Sequence, residues 1–128
     1  MDKPLLIDSD VLIDHLRKNA NALKFLSENV EKGVPVFLSV ITRTEILAGA
    51  RKGEEEEVNS LFEVVMPVNI DAAIADRAGE YLRKYAKSHD LNIGDAMIAA
   101  TAKEMSLKLI TKNVKHYPMK DIEVFRPF

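Results

Sequence analysis

Short apolar runs take turns along the chain with longer stretches in which apolar positions recur every three or four residues. The runs read as buried strands and the periodic stretches as amphipathic helices. Residues 4–7 form a buried strand that stops at Asp8. Residues 11–18 are a short helix and residues 22–32 a second one, closed by Gly33, since a left-handed residue is favoured just past a helix end. A strand follows at 36–38, then a helix at 41–50 that ends near Gly49 and Gly53. Residues 54–65 make another helix, with Val58, Leu61, Phe62 and Val65 on one stripe. Residues 66–70 alternate like a strand, and Pro67, which has no N–H to give a neighbour, suits an edge. Asp71 caps a long helix whose buried stripe is Ala75, Ala78, Leu82, Tyr85 and Ala86. An alanine-rich helix at 95–106 and strands at 107–110 and 122–125 complete the series. Strands separated by helices imply an α/β protein with a parallel sheet covered by helices.

Composition narrows this picture without changing it. With 128 residues, 47% of them hydrophobic, the chain fills one domain, residues 1–128, with a core of its own. No segment approaches the roughly 18 apolar residues of a membrane span, and Met1-Asp2-Lys3 does not open a secretory leader. Cysteine is absent, which removes disulfides and thiolate metal sites, and a cytoplasmic location is the expectation. The formal net charge is −2, from 18 Lys and Arg against 20 Asp and Glu. That argues against holding nucleic acid by bulk positive charge but leaves room for local basic surface.

Three predicted strands end where polar residues begin: Ile7 into Asp8-Ser9-Asp10, Leu38 into Ser39, and Ile110 into Thr111-Lys112-Asn113. Open parallel sheets bind their ligands just outside such carboxyl ends. Asp8 is either an N-cap for the next helix, a duty Asp10 can also perform, or a carboxylate presented at the rim. Glu45 either closes a Thr42-x-x-Glu45 capping box or, with Ser39 as the cap, shares a partly apolar face with Ile41 and Ala48. Asp95 either interacts with the positive end of a helix capped by Asn92 or faces the same rim as Asp8. Acids gathered at one rim repel each other and raise some of their pKa values, a cost that a hard divalent cation removes. Oxygen-only donors favour Mg²⁺ or Mn²⁺ over Zn²⁺, and such a centre suits phosphodiester hydrolysis.

The segments Leu5-Leu-Ile-Asp8-Ser-Asp-Val-Leu-Ile13, Leu38-Ser-Val-Ile-Thr-Arg-Thr-Glu45-Ile-Leu-Ala-Gly49, Ile93-Gly-Asp95-Ala-Met-Ile-Ala-Ala100 and Leu109-Ile-Thr-Lys-Asn113 resemble the successive motifs of PIN domains. They stand in order between residues 5 and 117, and within that family the sequence is most similar to VapC-type toxins of prokaryotic toxin–antitoxin pairs. The resemblance implies a three-layer α/β/α sandwich with a mostly parallel central sheet. It implies a Mg²⁺- or Mn²⁺-dependent endoribonuclease acting on RNA, the toxin of a type II pair, homodimeric and restrained by a VapB-type antitoxin. Residue by residue it assigns Asp8, Glu45 and Asp95 to catalysis and metal, and Ser9 to a hydroxyl beside the first acid. Asn113 falls where relatives carry Asp or Asn. His116 stands where an acid is frequent before the aromatic Tyr117, so the fourth ligand departs from the family pattern.

Arg43, Lys112 and His116 are candidate contacts to RNA phosphates; exposed charges on loops and helix edges are the plainer account of the first two. His15, near the surface of the first helix, and His89, in a polar turn, read as solvated. Residues 54–57 read as an acidic helix start. Phe125 and Phe128 are either core or interface anchors. Val11, Leu12, Leu16, Phe25 and Leu26 offer more apolar surface than two short helices need for the sheet, which points to pairing. Two rival functions remain. A haloacid-dehalogenase-type phosphatase is also resembled by Asp8-Ser-Asp10 and Gly94-Asp95, but leaves Glu45 without a role. A catalytically inactive PIN-like scaffold gives three retained rim acids no evident purpose.

Overall fold

A computed structural model describes residues 3–128. Its strands β1 (Leu5–Ile7), β2 (Val36–Ser39), β3 (Met66–Val68), β4 (Lys108–Ile110) and β5 (Val124–Phe125) form one sheet in the order β3-β2-β1-β4-β5. Every neighbouring pair is parallel. The connections carry α1 (Ser9–Leu16), α2 (Ala20–Glu31), α3 (Val40–Gly49), α4 (Glu55–Val64), α5 (Ala72–His89), α6 (Ile93–Glu104) and a 3-10 turn at Val114–His116.

Alternation along β1 explains the layering, because successive strand side chains point to opposite faces. Leu6 packs with Ile74, Ala78, Ala96, Ala99 and Leu109 under α5 and α6. Leu5 and Ile7 pack with Val11, Leu12, Leu26, Ile46 and Leu61 on the other face. All three β1 side chains are buried, as a parallel sheet covered on both sides requires. The result is the three-layer α/β/α sandwich. Pro67 lies in the edge strand β3, opposite Leu38, and Gly33 takes a positive φ of 76° just past α2.

Several expectations are corrected. α1 starts at Ser9 and α6 at Ile93, two residues earlier than the apolar periodicity suggests, because Asp8 and Asn92 are the caps. The fully buried face of α5 is Ile74, Ala78 and Tyr81, while Ala75, Leu82, Tyr85 and Ala86 are half-buried. The last strand shortens to Val124–Phe125. Val11, Leu12, Leu16 and Leu26 are buried in the chain's own core, so they supply no surplus surface for pairing. His15 is half-buried with Nδ1 unpartnered, and His89 belongs to the last turn of α5 rather than to a loop. Phe128 packs on the second core cluster, whereas Phe125 is 45% exposed with the Lys108 ammonium 4.3 Å from its ring centre.

Candidate active site

β1 lies in the middle of the sheet. The chain leaves it toward β2 and β3, then crosses back to β4 on its other side. The carboxyl ends of β1 and β4 therefore border the crevice where the connections part, the usual ligand position in open α/β sheets. Asp8 stands there, 8% exposed. Its Oδ1 accepts from the Ser9 N–H at 2.8 Å, so capping and rim position fall on one residue. Its Oδ2 accepts from Thr111 Oγ1 and from Tyr117 Oη, each at 3.0 Å. Parallel pairing of Ile7 with Ile110 is what carries Thr111 to Asp8 across 103 residues of sequence. Burial, and then the nearby Asp10 charge, push the Asp8 carboxyl above its ordinary range, and its three donors only offset this.

Asp95 lies in the first turn of α6, where Asn92 Oδ1 accepts from its N–H at 2.8 Å. With the cap supplied by Asn92, the Asp95 carboxylate is left for other partners. Its Oδ2 is 2.5 Å from His116 Nε2 and its Oδ1 3.5 Å from Tyr117 Oη. One buried phenol thus touches both aspartates. Burial and the Asp8 charge drive the Tyr117 pKa upward, which keeps the phenol protonated and a donor.

Ser39, not Thr42, caps α3: its Oγ accepts from the Ile41 N–H at 3.1 Å. Thr42 is buried with its hydroxyl unpartnered, so the capping box does not form. Glu45 and Ala48 are both exposed, and the partly apolar face expected for Glu45 is narrower than its sequence neighbours suggest. The Glu45 carboxyl nevertheless titrates above its usual range, through partial burial first and then the charges of Asp8 and Asp95. The three acids therefore share one electrostatic neighbourhood. Among the described residues, no three His or acidic side chains stand as a ready-made cage for an ion. Tyr117 and His116 already occupy oxygens of Asp8 and Asp95.

The other sequence candidates scatter around this centre. Ser9 opens α1 next to Asp8. The Asn113 N–H donates to Thr111 Oγ1 at 3.1 Å and its carbonyl accepts from the His116 N–H, so Asn113 shapes the turn that delivers His116. Lys112 pairs with Asp14 at 2.5 Å, and the Arg43 guanidinium lies 4.1 Å from the centre of the Phe62 ring. Sequence reasoning missed Thr111, Tyr117 and the role of Asp10. Asp10 Oδ2 accepts from the Lys112 N–H at 3.0 Å, tying α1 to the end of β4. The signal for Thr111 was its position at a strand's carboxyl end; for Tyr117 it was a hydroxyl on an otherwise apolar position.

Residues 5–121 match the PIN domain family, and the chain belongs to it. It is 40% identical over 116 residues to Ribonuclease VapC10 of Mycobacterium tuberculosis, across 90% of this chain and 86% of that one. Ribonuclease VapC19 of the same organism is 36% identical over 115 residues, across 89% and 92%. A toxin–antitoxin complex from Klebsiella pneumoniae has a matching chain at TM-score 0.76 and 27% identity, covering 97% of this chain and 98% of that one. DNA-bound VapBC from Salmonella typhimurium shares the fold at TM-score 0.81 and 19% identity, over 97% and 98%. Family membership leaves the phosphatase alternative without support.

Proposed function

We propose that the chain is a metal-dependent endoribonuclease that hydrolyses RNA phosphodiester bonds as the toxin of a type II toxin–antitoxin pair. The observation that carries this reading is the convergence of Asp8 and Asp95 on the one buried Tyr117 hydroxyl, at 3.0 and 3.5 Å, with the charges of both acids felt at Glu45. The names of the two relatives support the ribonuclease part. A cation held by Asp8, Glu45 and Asp95 removes the mutual repulsion, and this oxygen-rich donor set suits Mg²⁺ or Mn²⁺. When bound, the ion supplies charge for the phosphate oxygens and lowers the pKa of a water. The chain's own residues do the positioning. Thr111 and Tyr117 hold the Asp8 carboxylate in one orientation, His116 holds Asp95, and Asn113 shapes the turn between them. Phosphate contacts from Lys112, Arg43 or His116 require those side chains to leave Asp14, Phe62 and Asp95.

End-labelled RNA incubated with Mg²⁺, Mn²⁺ or EDTA tests the reading. Cleavage is expected only with metal, and Asp8→Asn and Asp95→Asn are expected to abolish it while keeping the fold. Cleavage that survives EDTA or both substitutions sinks it.

The partner is an antitoxin, a reading supported by the complexes among the structural relatives. Its docking place is the groove of about 670 Å³ between α1, α2 and α4, where half-buried Leu23 and exposed Val30 and Val64 stand over a floor of buried Leu16, Leu26 and Leu61. Lys18 and Lys24 stand on one side of it and Glu56 and Glu57 on the other. That pattern fits an amphipathic helix with an apolar face and oppositely charged flanks. In this reading the toxin acts as a homodimer in the cytoplasm. No helix among the described residues is long and apolar enough to cross a membrane.

A further inference from the structure

A second cavity, of about 630 Å³, lies between the latter half of α5 and the segment after the 3-10 turn. Tyr81, Lys84, Tyr85, His89, Lys120 and Asp121 line it, with Pro118 on the same wall as Lys120. Both walls are close in sequence to residues of the acidic centre. Pro118 follows Tyr117, and His89 leads through Asp90-Leu91-Asn92 into the α6 turn that carries Asp95.

The lining is aromatic and cationic. The Tyr85 ring is half-buried, 6.0 Å from His89 at 83° and 6.4 Å from Tyr81 at 48°. The Lys84 ammonium lies 5.3 Å from the Tyr85 ring centre. Tyr81 is held in place by its hydroxyl, which donates to both Asp121 oxygens at 2.9 and 3.1 Å. Asp121 is the one acid on the walls, and this bond engages it. Lys84 and Lys87, on one helix face, and Lys120 are exposed and form no ion pair among the described residues. In a chain of formal charge −2, free lysines around a tyrosine platform form a local exception.

We infer that this shelf binds an unpaired RNA base on Tyr85 and the adjoining phosphate on Lys84 and Lys120, guiding a single strand into the acidic centre. The inference rests on the ribonuclease reading above. Aromatic rings accept any base by stacking, and lysines follow the backbone through charge. The same pairing of ring and cation explains why a protein without bulk positive charge can still hold an anionic strand beside an acidic site.

Binding of a short labelled single-stranded RNA, read by anisotropy in EDTA so that cleavage does not intervene, is the test. Tyr85→Ala is expected to weaken binding on the order of 10-fold, while Tyr85→Phe binds as the wild type does. Lys84→Ala and Lys120→Ala weaken it several-fold at low salt, with the difference shrinking as salt rises. Wild-type affinity in a folded Tyr85→Ala protein overturns the shelf. So does a loss of binding that tracks a change in sedimentation, since a second copy would then cover this face. Shelf-dependent binding by a wild-type protein that cuts no RNA keeps the shelf and sinks the nuclease reading; the reverse result separates them the other way.

Discussion

Asp8 accepts three hydrogen bonds and still titrates above its ordinary range, because burial and the Asp10 charge outweigh the donors. Two consequences follow for single residues. A hydrogen bond to a charged group contributes about 1.5–3 kcal/mol, so Tyr117→Phe is expected to lower the stability of the metal-free protein by that order, read in urea unfolding. The ring remains to fill its 5% exposed position, so the loss reports the hydroxyl, and an unchanged midpoint would remove Tyr117 from the description of the site. The second consequence concerns pH. Asp8 and Glu45 both have raised pKa values, so the native state keeps protons that the unfolded chain has already released. Their favourable contribution is complete below the ordinary carboxyl values and is lost as pH rises through the raised ones. Without metal, thermal stability is therefore expected to fall as pH rises above the ordinary carboxyl range, and Asp8→Asn and Glu45→Gln should each flatten that fall. Wild-type slopes in both variants would contradict the shared electrostatic neighbourhood.

At the scale of elements, α6 is the piece whose construction is plainest. Ala96, Ala99 and Ala100 are 0% exposed, and these small side chains let the helix lie close to the sheet while Asn92 fixes its start. Ala99→Leu adds volume where none is free, and overpacking of this kind costs about 1–3 kcal/mol; calorimetry should show it, with cleavage reduced as Asp95 shifts. The number and kind of elements were readable because each has its own period and punctuation: Gly33 after α2, Pro67 in β3, Asp71 before α5. The positions of Asp8 and Asp95 at helix starts were readable for the same reason, whereas Glu45 lies in the second turn of α3 rather than at its start. What could not be read was which cap acts and which hydroxyl closes the site. Thr42 and Ser39 are equivalent as letters and both are buried, and only the placing of α3 on the core sets the Ser39 hydroxyl at the first N–H groups and leaves that of Thr42 unpartnered. Thr111 and Tyr117 reach Asp8 through pairing of β1 with β4, a contact between chain ends that no local pattern announces. The surplus apolar surface expected on α1 and α2 failed for a related reason: the sheet is covered on that face by four helices, and they bury Val11, Leu12, Leu16 and Leu26 against each other as well as against strands.

On the scale of the whole molecule, the acidic crevice and the apolar groove are separate surfaces. The first is bounded by the ends of β1 and β4, the second by α1, α2 and α4. An antitoxin that only covers the groove and one that also reaches the acids make different predictions. Val30 and Val64 are 44% and 42% exposed and both line the groove, so Val30→Glu and Val64→Glu place charge where an apolar helix must dock. Burying an unpaired carboxylate is strongly unfavourable, so both variants should lose capture by the antitoxin while cutting RNA at the wild-type rate. If the docked segment also inserts an Arg or Lys among Asp8, Glu45 and Asp95, that cation competes with Mg²⁺ for the same carboxylates. Inhibition should then weaken as Mg²⁺ is raised, and replacing the inserted residue with Ala should abolish the Mg²⁺ dependence while the groove contacts keep much of the binding. Titration of antitoxin against labelled RNA cleavage at several Mg²⁺ concentrations reads both effects. Inhibition insensitive to Mg²⁺ but lost in Val64→Glu assigns restraint to the groove alone, and inhibition insensitive to both removes the groove as the docking place.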